Sequence, residues 1–188
     1  WISYLQGENP GYPESALRRD LNTIHSRIDA MRRDSLPPEK RLADNMMGFN
    51  PAATASLVQL MWGGLPPDRD GGLANARLRY FDPMRKRPGL PNEVGALVSQ
   101  LTDVQTTVTL VNLNTNEART LVIQGGAYGE HHFESVTIGT KTAPINSALV
   151  TVQLGPGSGG HLTLQMKRYA HRPTLLHPWH SVDGKRRF

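Results

Sequence analysis

Leu17, Leu21, Ile24, Ile28 and Met31 recur at spacings of four, three, four and three, a rhythm that places all five side chains on one face of an α-helix. Pro13 suits the first turn of that helix, Glu14 follows where the helix dipole favours an acid, and Pro37-Pro38 bars its continuation. The result is a helix of about five to six turns with one narrow apolar stripe. Burying a large aliphatic side chain contributes roughly 1.5–3 kcal/mol, so the stripe calls for a partner surface. The expected partner is the chain's own C-terminal sheet, with another domain or subunit as the alternative. The apolar start of the chain, Trp1, Ile2, Tyr4 and Leu5, is then left to face another domain or subunit.

Asn50-Pro51 predicts a second helix, capped by Asn and opened by Pro, running through Leu57, Val58, Leu60, Met61 and Trp62 to the stop at Gly63-Gly64. Residues 76–81 alternate as a strand does. Residues 92–101 read as a short helix. From Thr106 the texture becomes β-branched: Val108, Leu110 and Val111 are followed by Asn114-Thr115-Asn116-Glu117, a hairpin loop, and then by a strand at Arg119–Gln124. His132–Ile138 alternates, residues 139–146 turn, Ser147–Leu154 alternates again, and Leu162, Leu164 and Met166 mark a last strand after the Gly-rich turn 155–160. The predicted fold is α+β: an N-terminal helical connector of two to three helices packed on a C-terminal antiparallel β-sandwich of about five to six strands. The connector spans 1–105 with a strand at 76–81, the sandwich 106–170, and a wrapping tail 171–188.

The 188 residues contain no Cys, which excludes a disulfide scaffold, thiol chemistry and Cys-ligated metals. No apolar run approaches the ~18 residues of a membrane span. The first residue is Trp, which predicts a processed chain or a piece of a larger one. The 21 Lys and Arg outnumber 16 Asp and Glu, yet Lys185, Arg186 and Arg187 at the C-terminus supply much of the excess. Elsewhere the basic residues interleave with Asp20, Asp29 and Asp34, and they do not alternate with aromatics. Nucleic acid is therefore not the expected partner.

Glu130-His131-His132 is the most suggestive chemical cluster, with His161, His171, His177 and His180 downstream. Adjacent residues on a strand point to opposite faces, so His131 and His132 alone are not expected to hold a metal, and no cofactor is expected. Asp68, Asp70, Asp82, Glu93 and Glu130 are the acids from which a glycosidase-type pair would be drawn, although loop solvation explains them equally. Ser158 sits in a Gly-rich turn without the elbow pattern of a nucleophile or the Lys-Ser/Thr of a phosphate loop. Tyr128, Phe133, Tyr169 and Trp179 are the aromatics available for a sugar-stacking platform, against a competing role in packing.

Arg77-Leu78-Arg79-Tyr80-Phe81-Asp82-Pro83, Arg87-Pro88-Gly89-Leu90-Pro91, Val108 to Asn114, Gln124 to His131 and Arg168 to Thr174 together resemble the C-terminal region of large bacterial proteins. The N-terminal part of those proteins is a linalool dehydratase/isomerase-like helical barrel. The resemblance begins near Glu8-Asn9-Pro10-Gly11 and covers most of the chain. It implies an accessory sandwich with a helical connector, whose catalytic groups would lie in the barrel, so no catalytic residue carries over. Separately, the Val108 to Leu113 opening is similar to β-sandwiches that follow glycoside-processing barrels, a pattern that also arises by convergence. The expected function is a non-catalytic accessory or interaction module that docks on a catalytic domain or subunit of its parent. Two alternatives stand beside it. In one, a loop of Glu130, His131 and His132 lines a hydrolase or lyase site completed by another chain. In the other, the sandwich binds carbohydrate through Tyr128, Tyr169 and Trp179.

Overall fold

The run from Thr106 to Asn112 buries every second residue, which is possible only if one face of the strand meets a second layer. A computed structural model describes residues 1–40, 50–65, 72–182 and 185–186. In chain order the elements are α1 (Ile2–Leu5), α2 (Tyr12–Arg33), a 3₁₀ turn (Pro38–Lys40), α3 (Ala55–Trp62), β1 (Leu78–Asp82), β2 (Arg87–Pro88), β3 (Val94–Leu101), β4 (Gln105–Asn112), β5 (Arg119–Gly125), β6 (His132–Ile138), β7 (Lys141–Ser147), β8 (Leu149–Leu154), β9 (Gly159–Lys167) and a small hairpin of β10 (Ser181–Val182) and β11 (Lys185–Arg186). Two antiparallel sheets, β2-β1-β5-β8 and β3-β4-β9-β6-β7, face one another. The fold is α+β, with N-terminal helices set on an antiparallel β-sandwich.

Between the sheets lie Leu78, Tyr80, Val98, Val108, Leu110, Leu121, Ile123, Phe133, Leu162, Leu164 and Met166, with Met61 and Trp62 of α3 closing the core from outside. The Tyr80 hydroxyl donates to the Met61 carbonyl at 2.8 Å, so the buried phenol ties helix to sheet, and burial pushes its pKa far above the ordinary tyrosine value. Outside the core, β4 and β9 carry a polar ladder: Gln165 donates to Gln105, Thr107 meets Thr163, and Thr109 meets His161.

Several expectations need correction. Residues 92–101 form β3, not a helix, because their pairing with β4 from Val94–Asn112 to Leu101–Thr106 satisfies the backbone along the strand. β1 to β3 thus belong to the sandwich although they fall within residues 1–105. Residues 139–146, expected to turn, belong from Lys141 onward to the exposed edge strand β7. The second helix begins at Ala55 rather than at Asn50-Pro51. Asn50 Oδ1 accepts from Ala52 N–H in a tight turn, and the end of α3 is capped from another helix: Asp20 of α2 accepts from both Ser56 N–H and Ser56 Oγ at 3.0 Å. The stop at Gly63 is as expected, in the left-handed region with φ +63°.

The loop at 114–117 is not a hairpin but an arch from one sheet to the other, since β4 and β5 lie in different sheets. Buried Asn112 holds it. Its amide donates to the carbonyls of Glu117 (2.8 Å) and Gly155 (2.9 Å), and its Oδ1 accepts from Asn114 N–H at 3.1 Å. Asn112→Ala is expected to lose about 2–3 kcal/mol, because the buried amide is removed and with it three hydrogen bonds to part-buried backbone groups that hold the arch. A lower urea midpoint with an unchanged slope would show it.

The stripe on α2 is not on the sandwich. Leu17 is 39% exposed, Leu21 50% and Met31 49%. α2 meets α3 through a small and polar flank instead: Ala16 is fully buried, the Tyr12 hydroxyl donates to Gln59 Oε1 at 2.8 Å, and Asp20 caps α3. Flank residues decide the joint because they let the helices approach closely and satisfy each other's polar groups, which the aliphatic stripe cannot do. The chain start also departs from expectation. Tyr4 is 8% exposed, and Trp1, Tyr4 and Tyr12 form a ring cluster with centroids 5.9 to 6.1 Å apart. Of Trp1, Ile2, Tyr4 and Leu5, only Ile2 stands in solvent, 70% exposed. Aromatic stacking has drawn the start onto α2. Among the described residues no helix is long and apolar enough to cross a membrane.

Candidate functional site

β5 ends in Gly125-Gly126, and the chain then folds back over its own strand end. Gly126 has φ +85°, and a side chain there would collide with the Glu130 carboxyl group. That carboxylate is buried and accepts from Tyr128 N–H at 2.7 Å. Arg79 and Gln124 donate to the Ala127 carbonyl at 2.9 and 3.2 Å, and His131 N–H returns to the Gly125 carbonyl at 3.0 Å. Glu130 is thus committed to its own turn.

His131 is 2% exposed. Its Nδ1 accepts from Tyr169 N–H at 3.2 Å, and the Tyr169 ring meets the imidazole edge-on at 5.0 Å. Accepting at Nδ1 places the hydrogen of the neutral ring on Nε2. Burial holds the His131 pKa below the ordinary histidine value, and the nearby Arg77 and Arg168 guanidiniums add to that, against the pull of Glu130.

His132, one residue on, points away from this cluster, as strand alternation requires. Its Nδ1 lies 3.1 Å from His171 Nε2. The tail brings His171 there: after β9 the chain crosses the corner between β7 and β8, with His171 N–H donating to the Glu130 carbonyl and Thr174 N–H to the Tyr128 carbonyl. His132 and His171 line an open cleft of about 350 Å³ with Asn146, Ser147 and Arg172. Of the Glu130-His131-His132 trio, His132 lines this cleft, while Glu130 and His131 are buried.

The aromatic candidates do not share a face. The Tyr128 hydroxyl accepts from Ala74 N–H at 3.3 Å. Tyr169, exposed, lies beside His131 with Arg168 over its ring at 5.1 Å. Trp179 packs against Phe81 and stacks on His177 on the outer face of the four-stranded sheet. Burial lowers the His177 pKa, with His180 and Arg79 acting in the same direction. Phe133 is in the core.

The acids are likewise dispersed. Asp68 and Asp70 lie outside the described residues. Asp82, Glu93 and Glu117 line a second cleft, of about 400 Å³. Within it Arg119 bonds both Glu93 and Glu117, and the hydrogen bonds from Asn114 and Arg119 hold the Glu93 carboxyl below its ordinary pKa. Among the described residues there is no group of three side chains able to hold a metal. Ser158 Oγ donates to the Gly155 carbonyl at 2.8 Å and serves the turn.

What sequence reasoning missed is His171 as the partner of His132, 39 residues away, which had no local signal. The stripe on α2 is legible as a surface that needs a partner, but sequence reasoning prefers the chain's own sheet to another subunit.

Residues 1–58 match a family described as a domain of unknown function (DUF8034), a match that ends within α3, before the first strand. No curated protein matches the chain. Among solved structures, a putative alpha-galactosidase from Bacteroides fragilis NCTC 9343 has a TM-score of 0.33 and 17% identity, over 42% of this chain and 17% of its own length. This chain therefore corresponds to a small part of that protein, at a likeness too low to carry an argument.

Proposed function

We propose that this chain is a non-catalytic accessory module that docks, through the apolar stripe of α2, on a helical surface of the catalytic domain or subunit of its parent protein. The observation that carries the reading is the stripe: Leu17, Leu21 and Met31 are 39 to 50% exposed on a 22-residue helix, with Ile24 and Ile28 between them half-buried, while the helix's hydrogen bonds to α3 come from Tyr12 and Asp20. Aliphatic side chains at helical spacing are what a second helix packs against. The family match supports the reading, because the helical segment that bears the stripe is the part shared with that family. So does the sequence resemblance to C-terminal regions that follow a helical barrel.

The double variant Leu21→Asp with Met31→Asp tests it. Both side chains are already half exposed, so the isolated chain is expected to keep its stability within about 1 kcal/mol. Co-purification with the helical domain of its parent should fall at least tenfold, because two charges would enter an apolar contact. Undiminished co-purification would overturn the proposal.

A further inference from the structure

We propose that the cleft where the tail crosses the β7–β8 corner binds a small oxyanion, the phosphate or carboxylate group of a ligand, between His132, His171 and Arg172. The inference is independent of the docking surface on α2.

The cleft has a volume of about 350 Å³ and is open to solvent, enough for one small polar molecule. Among the described residues its lining contains no carboxylate, in contrast to the cleft of Asp82, Glu93 and Glu117. It is instead a ring of donors. Arg172 supplies a guanidinium. The hydroxyls of Ser147 and Thr174 each accept a backbone N–H, from Leu149 and Leu176 respectively, at 3.1 Å, and so keep their own hydrogens to give. The two imidazoles meet through one nitrogen each at 3.1 Å, so one ring donates to the other, and of the two remaining nitrogens the accepting ring's carries an N–H that is left to give. Asn146, also in the lining, is held at φ +50°, a conformation a non-glycine residue adopts at a cost and that recurs at binding sites.

The alternative occupant of two facing imidazoles is a divalent metal. The surroundings argue against it. Arg172 adds positive charge beside the pair, and the third ligand that a stable zinc site needs is lacking among the described residues. A guanidinium, two hydroxyls, an amide and one imidazole N–H match instead the several lone pairs of an oxyanion.

The test is a titration of the whole chain with inorganic phosphate and, separately, with acetate, following the imidazole resonances of His132 and His171 by NMR. His161, on the outer ladder of β9, is the reference. The expected result is saturable movement of both cleft histidines and none of His161, weakened about tenfold in Arg172→Ala, the loss expected for one charge-assisted hydrogen bond, and partly restored in Arg172→Lys. Tighter phosphate binding assigns a phosphoryl ligand, and tighter acetate binding assigns a carboxylate. Absence of saturation at tens of millimolar, or His161 moving with the others, would overturn the inference. Stoichiometric zinc binding that disappears in His171→Ala would overturn it in favour of a metal.

Discussion

Gly64→Ala is expected to cost about 3 kcal/mol or more, at the upper end of what one added methyl does in a packed interior. Gly64 follows the left-handed Gly63 at the end of α3 and lies against the chain that leads into β1. A Cβ there would fall inside the van der Waals surface of the Asn75 carbonyl oxygen, 2.8 Å from its carbon and 3.1 Å from Ala76 Cα. All three atoms are backbone, so no side chain can swing aside. The strand cannot retreat either: Arg77 N–H donates to the Trp62 carbonyl at 2.9 Å, and Gly126 N–H to the Arg77 carbonyl at 2.8 Å. For a chain of this size ~3 kcal/mol corresponds to a fall in Tm of roughly 6–12 °C. Gly160→Ala is the control. A Cβ at that position in β9 meets nothing within 4 Å, so the change should stay within about 0.5 kcal/mol. Equal melting temperatures for the two variants would mean that α3 is not held against β1 in this way.

That joint also explains which features of the fold were legible in the sequence. β4, β8 and β9 announce themselves because each has one face in a core and one outside it, β1 and β5 as short runs rich in branched and aromatic residues, and α2 by its apolar spacing alone. β3 does not. It is an edge strand that contacts α3 and α1 as well as the facing sheet, so burial along Val94–Leu101 is irregular, and Gly95-Ala96-Leu97 has no strand preference of its own to correct a helical reading. β7 fails for the opposite reason. Most of it is exposed, with Pro144 on the edge, and a strand with neither face buried leaves no alternation to read. The destination of α2 was hidden because a hydrophobic pattern ranks Leu and Ile above the Ala16, Tyr12 and Asp20 that make the contact.

For the site, the divergence of His131 and His132 followed from strand geometry alone. Their separate fates did not. Whether His131 would be buried depended on the fold-back at Gly126, and whether His132 would have company depended on the path of the tail after β9. Both are set by long-range hydrogen bonds, such as His171 N–H to the Glu130 carbonyl, that no local pattern encodes. Glu130 shows the same lesson in reverse. Beside two histidines in sequence it suggests chemistry, yet its carboxylate closes the turn of the residue two before it.

His131→Ala is expected to cost about 2–4 kcal/mol at pH 7.5, from the cavity left by the buried ring and from the part-buried Tyr169 N–H that loses its acceptor. Tyr169 sits at φ +53°, a conformation that this bond helps to hold. The size of the effect does not by itself separate a titrating histidine from a merely space-filling one, but its pH dependence does. In the native chain His131 resists protonation, first through burial and then through Arg77 and Arg168, with Glu130 opposing. In the unfolded chain it takes a proton near the ordinary value of about 6.5. The unfolded state therefore binds more protons over the interval from that value down to the lowered native one. The stabilisation is full above about pH 6.5 and is lost as pH falls through that interval. His177, also lowered, contributes with the same sign, so the wild-type chain should lose stability between about pH 7 and 5 from both. His131→Ala removes one of the two. Its urea midpoint should lie below that of the wild type at pH 7.5, and the gap should narrow as pH falls below about 6.5, because the wild type then gives up the Tyr169 bond to protonation at Nδ1. Parallel curves over this range would show that His131 does not titrate with unfolding, and that burial and the two guanidiniums do not hold the ring neutral.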